Sequence, residues 1–453
     1  MKYDAIIIGF GKGGKTLAGA LAKQGKKVAL IEKSAQMYGG TCINVGCIPS
    51  KSLVTSAKES AKHADAPFEE KAALYANAIA EKIRVTTLLR GKNFDKLDSL
   101  DNVTIYNGLA SFVSNTEVQV QTAAETFVLT GENIFINTGS TPVLPPIKGL
   151  RENPFVYTSE GMMALPELPR RLAIIGGGYI GLEFASMYTS FGSKVTVVQD
   201  GDVFLPREDA DIAAEIKSVL EKRGVSFVTG AKITEIAGEQ AFASVHFTKD
   251  SAEYQLEAEA VLVATGRRPN TDALNAAAAG VDLTPRGAVQ VNEHLKTTAP
   301  NIWAMGDVVG GLQFTYISLD DYRIVLSQLN GGEKTTANRK NIPYSVFLSV
   351  PFSRVGLNEQ EAKDKGYNVK IVKMPAAAIP KAQVLRTTDG ILKAVIDADS
   401  GKILGAMLFC EESYEMINLV KLAMDADLPY TALRDGIYTH PTMTEAFNDL
   451  FAL

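Results

Sequence analysis

The sequence predicts an α/β protein with three domains. Two stretches of the chain repeat the order strand, glycine-rich turn, helix, strand, which is typical of Rossmann-like dinucleotide-binding domains. Near Asn341 the pattern changes to strand-like runs followed by helical ones, and this favours a third domain of α+β type. The length agrees, because 453 residues are too many for one hydrophobic core and suit roughly three domains.

The first Rossmann-like unit begins at the N-terminus. An apolar strand runs into a glycine-rich turn, a helical stretch follows, and a second strand ends at Glu32. We expect Gly9 to permit the tight turn, Gly11 to let backbone N–H groups approach a pyrophosphate, and Gly14 to bring the helix close to the sheet. Glu32 stands where an acid holds ribose hydroxyls. These positions together predict a dinucleotide site.

A second unit with the same order begins near Leu172. Gly176, Gly178 and Gly181 occupy its three glycine positions, and the strand after the helix is followed by Gln199. Two dinucleotide sites in one chain are most simply used by a flavin that stays bound and a nicotinamide coenzyme that comes and goes. The sequence therefore predicts hydride transfer between two bound nucleotides.

The residues of the second unit leave the choice of coenzyme open. Gly181 as the third glycine favours NAD, whereas Gln199 stands where an NAD-specific site usually carries an acid. Loss of that acid removes the repulsion against a 2′-phosphate. No arginine stands immediately beside Gln199 to bind that phosphate. We therefore expect the protein to use both NADPH and NADH.

Two cysteines, Cys42 and Cys47, follow directly after the first unit. Two sulfurs at this separation can meet across one turn of helix, and the N-terminus of a helix favours thiolate over thiol. Three cysteines in 453 residues are too few for a disulfide framework. The alternative is a pair of buried structural cysteines. The neighbouring nucleotide-binding units favour a redox-active disulfide instead.

The composition excludes several classes of protein. A hydrophobic content of 46% and a charged content of 21% are those of an ordinary globular protein, and the net charge of −5 without a dense basic run disfavours nucleic acid as a partner. No apolar run reaches the about 18–20 residues that span a membrane, and the N-terminus lacks the features of a signal peptide. We therefore expect a cytoplasmic protein with no membrane partner. Three cysteines and four histidines without clustering predict no metal site.

Three motifs occur together, and together they are specific. They are Gly-Gly-Thr-Cys-x4-Cys-x2-Ser-Lys, the two glycine fingerprints, and the C-terminal run His-Pro-Thr-Met-Thr-Glu. Over its whole length the chain resembles the pyridine nucleotide–disulfide oxidoreductases, the flavoprotein family of glutathione reductase, lipoamide dehydrogenase and mercuric reductase. The resemblance implies an FAD-binding domain from residues 1–145 and 266–340, an NAD(P)-binding domain from 146–265, and a dimerisation domain from 341–453.

The resemblance also implies catalytic roles. Cys42 would be the interchange thiol that attacks the substrate, and Cys47 would exchange electrons with the flavin. His440 would arrive from the partner subunit of a homodimer to hold and relay the proton of Cys42, with Glu445 orienting the imidazole. Shared active sites of this kind would make the dimer obligatory for catalysis. For Glu445 there is an alternative, because it also completes a capping box with Thr442 at a helix N-terminus.

Further roles follow from the same resemblance. Lys51 and Glu183 match the family's ion pair beside the flavin N5, where a buried cation stabilises negative charge; for Glu183 the alternative is a favourable acid in the first turn of a helix. Tyr179 would cover the nicotinamide pocket until the coenzyme arrives, or is a plain turn aromatic. Asp307 matches the second FAD signature, whose carboxylate holds the ribityl chain. The motifs assign three more positions to cofactor binding: Thr41, Gly139 and Gly266.

Departures from the better-known members narrow the substrate. The chain lacks the C-terminal cysteine pair of mercuric reductases, and Tyr438 stands where lipoamide dehydrogenases usually carry a histidine. Segments 6–12, 37–40 and 311–323 resemble the bacterial branch linked to reactive-chlorine resistance and hypothiocyanous acid reduction. We therefore expect an NAD(P)H-dependent reductase of a small electrophilic oxidant, above all hypothiocyanous acid, acting in oxidative stress. The alternatives are reduction of copper(II) or mercury(II), reduction of a lipoamide- or glutathione-type disulfide, and a flavin-bound redox sensor without turnover.

Overall fold

The N-terminal part of the chain forms a mixed sheet, with parallel and antiparallel strands. The computed structural model describes residues 1–238 and 240–452. The elements of this part are β1 (Lys2–Ile8), α1 (Lys12–Lys23), β2 (Val28–Glu32), α2 (Thr41–Asn44), α3 (Cys47–Ala61), α4 (Phe68–Asp98), β3 (Val103–Asn107), β4 (Leu109–Phe112), β5 (Glu117–Gln121), β6 (Thr126–Ile136) and β7 (Ser140–Pro142). Strands β1, β2, β3 and β6 are parallel, and the β4–β5–β6 meander is antiparallel. Strand β1 lies at the centre of the parallel part, between β2 and β6. Its isoleucines are buried on both faces, as a central parallel strand requires.

The middle of the chain repeats this architecture. Its elements are β8 (Val156–Tyr157), α5 (Ser159–Ala164), β9 (Arg171–Ile175), α6 (Tyr179–Phe191), β10 (Lys194–Val198), α7 (Ala210–Lys222), β11 (Val225–Val228), β12 (Lys232–Gly238), β13 (Ala243–Lys249), β14 (Ala252–Ala258), β15 (Ala260–Val263) and β16 (Arg267–Pro269). Strand β9 is central in a parallel sheet of order β11-β10-β9-β15-β8. Strands β12, β13 and β14 form a separate antiparallel sheet.

The chain then returns to the first sheet. Strand β17 (Ile302–Ala304) pairs in parallel with β6, and α8 (Thr315–Leu329) follows it and packs against α1. The first sheet has the order β3-β2-β1-β6-β5-β4, with β17 beside β6. The two crossings between the sheets lie side by side, because β7 pairs antiparallel with β16.

The C-terminal part is built on an antiparallel sheet. Its elements are β18 (Tyr344–Val346), β19 (Phe352–Gly356), α9 (Glu359–Asp364), β20 (Val369–Pro375), α10 (Pro380–Leu385), β21 (Ile391–Asp397), β22 (Ile403–Phe409), α11 (Ser413–Asp425), α12 (Thr431–Arg434) and α13 (Ala446–Leu450). The strand order is β18-β19-β22-β21-β20, and α11 packs against β19 and β22. Short 3₁₀ helices lie at Ala35–Met37, Ala276–Ala279, Gly306–Val309, Thr336–Asn338 and Ala376–Ala378.

This architecture confirms the predicted fold class, with two Rossmann-like sheets and a C-terminal α+β part. The domain boundaries after residues 145, 265 and 340 stay a prediction; they fall near the β7–β16 ribbon and before β18. The carboxyl ends of β1 and β9 lead directly into the two glycine-rich turns, which is where open α/β sheets bind ligands. Among the residues that the structure describes, no helix has the length and apolar character to cross a bilayer.

Candidate active site

Both glycine turns and both cysteines line one cleft of about 2640 Å³. The predicted site residues on its wall are Gly9, Gly11, Glu32, Thr41, Cys42, Cys47, Lys51, Gly139, Gly176, Gly178, Tyr179, Glu183, Gln199, Gly266 and Asp307. Gly14 and Gly181 lie one layer back, where α1 and α6 contact their turns. Of the predicted residues, His440 and Glu445 lie outside this cleft. One chain therefore brings both glycine turns and both cysteines to the same cleft, whereas its own His440 lies elsewhere.

The first turn is shaped by backbone contacts that only glycine permits. Gly9 has a φ of +105°, and a Cβ on it would lie 2.2 Å from the carbonyl oxygen of Asn137. A Cβ on Gly14 would lie 2.4 Å from the carbonyl oxygen of Gly9, so α1 packs directly on the turn. Glu32 at the end of β2 accepts a hydrogen bond of 3.0 Å from the N–H of Phe10. Burial raises the pKa of Glu32. The turn is thus a rigid edge with the N-terminus of α1 facing the cleft.

The second turn repeats this construction. Gly176 has a φ of +108°, and a Cβ on it would lie 2.6 Å from the carbonyl oxygen of Ala264. A Cβ on Gly181 would lie 2.1 Å from the carbonyl oxygen of Gly176. Gly178 differs, because within the described part of the chain no heavy atom other than those of its two chain neighbours lies within 4 Å of its Cβ position, and its backbone faces open space before α6. This open stretch leaves room for a ligand to approach the backbone.

The strand after the second turn ends on a neutral side chain. The Nε2 of Gln199 donates to the carbonyl oxygens of Gly201 at 2.7 Å and Val203 at 3.1 Å. Gln199 is therefore bound within its own loop. The fold also brings two cations to the wall of the cleft, Arg207 and Lys232, which the sequence does not place beside Gln199. The wall of the cleft near this loop combines these two cations with the carboxylate of Asp200 and the neutral side chain of Gln199.

The two cysteines lie on separate helices. Cys42 belongs to the four-residue α2, and Cys47 is the first residue of the fifteen-residue α3. The prediction that both sulfurs meet across one helical turn is therefore wrong in detail, because the chain breaks between α2 and α3. Gly46 forms the break, and a Cβ on it would lie 2.9 Å from the carbonyl oxygen of Thr41. This break puts Cys47 at a helix N-terminus, where a thiolate is favoured.

The two thiols differ in acidity. The neighbouring Cys42 thiol, and further the Thr315 hydroxyl and the Lys51 charge, lower the pKa of Cys47 to about 6. The neighbouring Cys47 sulfur, followed by desolvation, raises the pKa of Cys42. The Oγ1 of Thr315 lies 3.4 Å from the sulfur of Cys47. Both pKa shifts point the same way and favour the negative charge on Cys47 over Cys42.

An ion pair joins the cysteine helix to the second nucleotide unit. The Nζ of Lys51, one turn after Cys47 on α3, lies 2.7 Å and 3.0 Å from the two carboxylate oxygens of Glu183 on α6. Glu183 also accepts a hydrogen bond of 2.8 Å from the N–H of Phe347, whose ring lies 4.7 Å from that Nζ. Glu183 lies beyond the first turn of α6, and its carboxylate binds Lys51 rather than the helix's own N–H groups.

Asp307 sits behind the crossing between the two sheets. Its Oδ2 accepts a hydrogen bond of 2.8 Å from the Ser140 hydroxyl, which in turn accepts one of 2.9 Å from the Nε of Arg267. Burial raises the pKa of Asp307. Gly139 and Gly266 flank this group with φ values of +74° and +114°, where side chains other than hydrogen are strained. The carboxylate is thus fixed at the wall of the cleft.

The C-terminal pair forms within one chain but faces solvent. The Nδ1 of His440 lies 2.9 Å from the Oε2 of Glu445, and the histidine side chain is 72% exposed. The backbone N–H of Glu445 donates to the Thr442 hydroxyl at 3.3 Å. The carboxylate binds the imidazole, and α13 begins only after Glu445, so of the alternative capping box only the backbone hydrogen bond to Thr442 forms.

Comparison with known proteins agrees with this geometry. Residues 3–321 match the family described as pyridine nucleotide-disulphide oxidoreductase, and residues 342–451 match the dimerisation domain of that family. The chain belongs to this family. The resemblance found in the sequence is therefore confirmed, and the C-terminal part is a dimerisation domain.

Relatives cover the whole chain. The probable pyridine nucleotide-disulfide oxidoreductase RclA of Escherichia coli is 50% identical over 453 residues, covering 100% of this chain and 99% of that protein. A mercuric reductase of Lysinibacillus sphaericus is 32% identical over 448 residues, covering 98% and 81%. A dihydrolipoyl dehydrogenase of Bacillus subtilis is 34% identical over 470 residues, covering 99% and 97%.

Solved structures share the fold. The Cu(II) complex of the HOCl-induced flavoprotein disulfide reductase RclA of Escherichia coli matches with a TM-score of 0.95 at 49% identity, covering 100% of this chain and 99% of that one. The Cu(II) complex of a cysteine-to-serine mutant of that protein matches with a TM-score of 0.95 at 50% identity and the same coverage. This protein is accordingly a flavoprotein disulfide reductase of the same type.

The family's cofactors are FAD and a nicotinamide coenzyme, and those of this protein are FAD and NADPH or NADH, as the sequence predicts. The cleft suits two nucleotides, because the N-termini of two long helices, α1 and α6, open onto it. Helix N-termini attract phosphate through their unpaired N–H groups and dipole. Each of these helices follows a glycine held at positive φ, Gly9 or Gly176.

Several residues of the site escape sequence reasoning. Thr315 lies within a segment that resembles the reactive-chlorine branch, yet nothing in its pattern places its hydroxyl beside Cys47. Asn137 holds the first turn by accepting from the N–H of Gly14 at 2.8 Å and donating to Met305 at 2.7 Å. Phe347 reaches the ion pair from the C-terminal sheet. These contacts join parts of the chain far apart in sequence, which periodicity and spacing do not report.

Proposed function

We propose that this protein is an NAD(P)H-dependent reductase of small electrophilic oxidants, with hypothiocyanous acid as the preferred substrate. The observation that carries the proposal is the position of Cys42 and Cys47, the latter at the N-terminus of α3 and 3.4 Å from the Thr315 hydroxyl, in a cleft that both glycine turns line. Two thiols at this position can reduce an oxidant by two electrons as they form a disulfide. The solved structure of the Escherichia coli relative is described as that of an HOCl-induced protein, which supports a substrate related to reactive chlorine species.

The proposal assigns the nucleotides to the two turns. Gly9, Gly11 and Glu32, with Asp307, are proposed to hold FAD, while the turn at Gly178 is proposed to hold the nicotinamide coenzyme. FAD, when bound, takes hydride from the coenzyme and passes an electron pair to the disulfide. The other positions proposed to contact FAD are Gly14, Thr41, Gly139 and Gly266. Those proposed for the coenzyme are Gly176, Tyr179, Gly181 and Gln199.

Substrate reduction is proposed to use both thiols in turn. Cys42 loses its proton and attacks the sulfur of hypothiocyanous acid, forming an S–S bond while the hydroxyl leaves as water with that proton. The Cys47 thiolate then attacks the Cys42 sulfur and expels thiocyanate. One thiol, one thiolate and one hypothiocyanous acid thus give one disulfide, one water and one thiocyanate. A thiolate is required at each attack, which is why the proton must move.

Moving that proton is the proposed task of the partner subunit's His440. Within one chain His440 is 72% exposed and outside the cleft, although Glu445 already holds its Nδ1. A second copy that docks through the dimerisation domain would bring this imidazole to Cys42, so that its free nitrogen takes the proton. The proposal therefore requires a homodimer with shared active sites.

The substrate is tested by steady-state NADPH oxidation with the FAD-loaded dimer. Hypothiocyanous acid is compared with glutathione disulfide, lipoamide and copper(II) under the same conditions. The expected result is a kcat/KM of about 10⁶ M⁻¹s⁻¹ or more for hypothiocyanous acid alone. Cys42→Ser should abolish this activity, whereas Cys410→Ser, a change at a fully buried thiol, should retain it. A disulfide or copper(II) as the best acceptor would overturn the substrate assignment.

Shared active sites are tested with a mixed dimer of a Cys42→Ser chain and a His440→Gln chain. Each variant alone should be inactive as a homodimer. The mixed dimer contains one site with both wild-type residues, so it should regain about half of the wild-type turnover per dimer. Inactivity of a mixed dimer that binds FAD normally would contradict the contribution of the partner's His440.

Copper(II) reduction is the second candidate, because the solved structures of the Escherichia coli relative include Cu(II) complexes of the protein and of a cysteine-to-serine mutant. Two thiolates form a soft ligand pair that suits copper(I), the product of reduction. A dithiol would reduce two copper(II) ions while forming one disulfide. The copper arm of the substrate comparison decides between the two candidates.

A further inference from the structure

Two tyrosine hydroxyls from distant parts of the chain meet on one buried carboxylate, that of Glu208. Tyr179, the first residue of α6, and Tyr344 of β18 both donate to its Oε1. The two hydroxyl oxygens lie 3.3 Å apart and the ring centroids 5.6 Å apart. The Glu208 side chain has no exposed surface. Tyr179 is thus tied to a fixed anion at the wall of the cleft.

The C-terminal domain holds this carboxylate in place. The Nη1 of Arg354 on β19 lies 3.3 Å from the Oε2 of Glu208 and donates to the carbonyl oxygen of Arg207 at 2.7 Å. The Arg354 side chain is itself buried and also pairs with Glu361. Leu205, at the start of the same loop, has a φ of +46°, a strained conformation that persists only where surroundings enforce it.

Both tyrosines act as donors in this cluster. Burial, followed by the charge of Glu208, raises the pKa of Tyr179 and that of Tyr344. The hydroxyls therefore keep their protons, and the bonds that they make to Glu208 are charge-assisted. Such bonds are about twice as strong as neutral ones.

We propose that Glu208 is a positioning residue that latches Tyr179 closed over the nicotinamide pocket. The inference rests on the proposed function, to which it adds the role that the family resemblance implies for Tyr179: its ring covers that pocket and must move when the nicotinamide ring enters. Opening breaks the bond to Glu208 and the ring contact with Tyr344, so part of the nicotinamide's binding free energy is used to release the latch. The adenosine half of the coenzyme, on the turn at Gly178, does not depend on this movement.

The latch can be distinguished from a Glu208 that only joins the two domains by which ligands each would affect. If Glu208 only joined two domains, its loss would weaken all ligands of the second turn alike. A latch acts on ligands that carry nicotinamide and leaves ADP-ribose alone, because ADP-ribose lacks the ring that displaces Tyr179. The ratio of the two dissociation constants therefore reports the latch.

The test measures binding of NAD⁺ and ADP-ribose, and of their 2′-phosphorylated forms, to the FAD-loaded dimer by calorimetry. Glu208→Gln and Tyr179→Phe each remove the charge-assisted bond, the latter while keeping the ring. Each should tighten binding of the nicotinamide-bearing ligand by about tenfold relative to its ADP-ribose counterpart. The double variant should show no more than the larger single effect, because both changes remove the same bond.

Glu361→Gln is the matched control. It makes the same chemical change on the other carboxylate partner of Arg354, and the amide can still cap α9. This variant leaves Tyr179 bonded to Glu208, so the ratio should stay within about twofold of wild type. A shift equal to that of Glu208→Gln would assign the effect to the domain bridge and overturn the latch.

Tyr179→Ala distinguishes the latch, which is the bond of Tyr179 to Glu208, from the covering of the pocket by the Tyr179 ring. If it raises the affinity for NAD⁺ while Glu208→Gln and Tyr179→Phe change nothing, Tyr179 covers the pocket but is not latched, and only this inference fails. If all three variants leave the ratio unchanged, the covering role of Tyr179 in the proposed function fails too. A ratio that moves in Glu208→Gln and Tyr179→Phe but not in Glu361→Gln supports the latch.

Discussion

The two glycine turns of this chain share one design and differ in how firmly their surroundings are fixed. At the first turn Glu32 is buried and bonded to the backbone of Phe10, and Asn137 ties the turn to Met305. At the second turn Gly178 faces open space and Tyr179 is half-buried. The first arrangement suits a nucleotide that stays, and the second suits one that must enter and leave.

The sharpest way to break this comparison is a pair of glycine-to-alanine changes. Gly9→Ala puts a Cβ 2.2 Å from a carbonyl oxygen at a φ of +105°, a conformation that costs about 1–2 kcal/mol even without the overlap. We expect this variant to lose most of its FAD, as measured by the flavin absorbance of the purified protein. Gly178→Ala meets no neighbour, so FAD content and thermal stability should stay at the wild-type level.

The same Gly178→Ala variant sharpens the comparison through the coenzyme. A methyl group there fills the space through which the coenzyme is proposed to approach the protein backbone. The KM for NAD(P)H should therefore rise about tenfold, or about 1.4 kcal/mol. An unchanged KM would place the coenzyme away from this turn. Loss of FAD from Gly178→Ala would contradict the assignment of the two turns.

A smaller effect is expected on coenzyme preference. The two units differ here, because Glu32 ends β2 whereas the neutral Gln199 follows β10. Gln199→Glu restores an acid, which repels a 2′-phosphate. The ratio of kcat/KM for NADPH to that for NADH should fall about tenfold. Gln199→Asn, which adds no charge, is the control. A wild-type preference above about a thousandfold for either coenzyme would contradict dual use.

The smallest predicted effect concerns α3, the helix that links the turns. With the pKa of Cys47 lowered to about 6, its thiolate forms as the pH rises through about 6 and is lost below it. Lys51→Gln removes a stabilising cation, so the midpoint of the thiolate absorbance of the reduced enzyme should move up by about one pH unit. Lys58→Gln, on the same helix but paired with Glu411, should leave it in place. An equal midpoint in both variants would mean that Lys51 does not stabilise Cys47.

Local signals in the sequence were enough for the fold and for the two turns. Glycine spacing constrains backbone geometry directly, and a strand–turn–helix order leaves few topologies, so Gly9 and Gly176 could be placed from the sequence. The ion pair of Lys51 with Glu183 came from resemblance alone, since 131 residues separate them in the chain.

What the sequence missed depends on long-range packing or on local breaks. Gly46 interrupts the helix expected between the cysteines, because its backbone closes against Thr41. The contact of Thr315 with Cys47 joins two segments of the first domain that are 268 residues apart in the chain. The two tyrosines that meet on Glu208 come from different domains. No period or spacing rule carries such information, since these contacts arise only when distant segments pack.

The most direct test of the central claim is a single turnover of the reduced enzyme without oxygen. The dimer, reduced by two electrons at each of its two sites, is mixed with one equivalent of hypothiocyanous acid per site, and free thiols and released thiocyanate are counted. The account predicts the loss of two thiols and the release of one thiocyanate per site, with Cys42 joined to Cys47 in the peptide map and Cys410 unmodified. Thiocyanate retained on a cysteine, or thiols left unreacted, would contradict the claim that this dithiol reduces the oxidant.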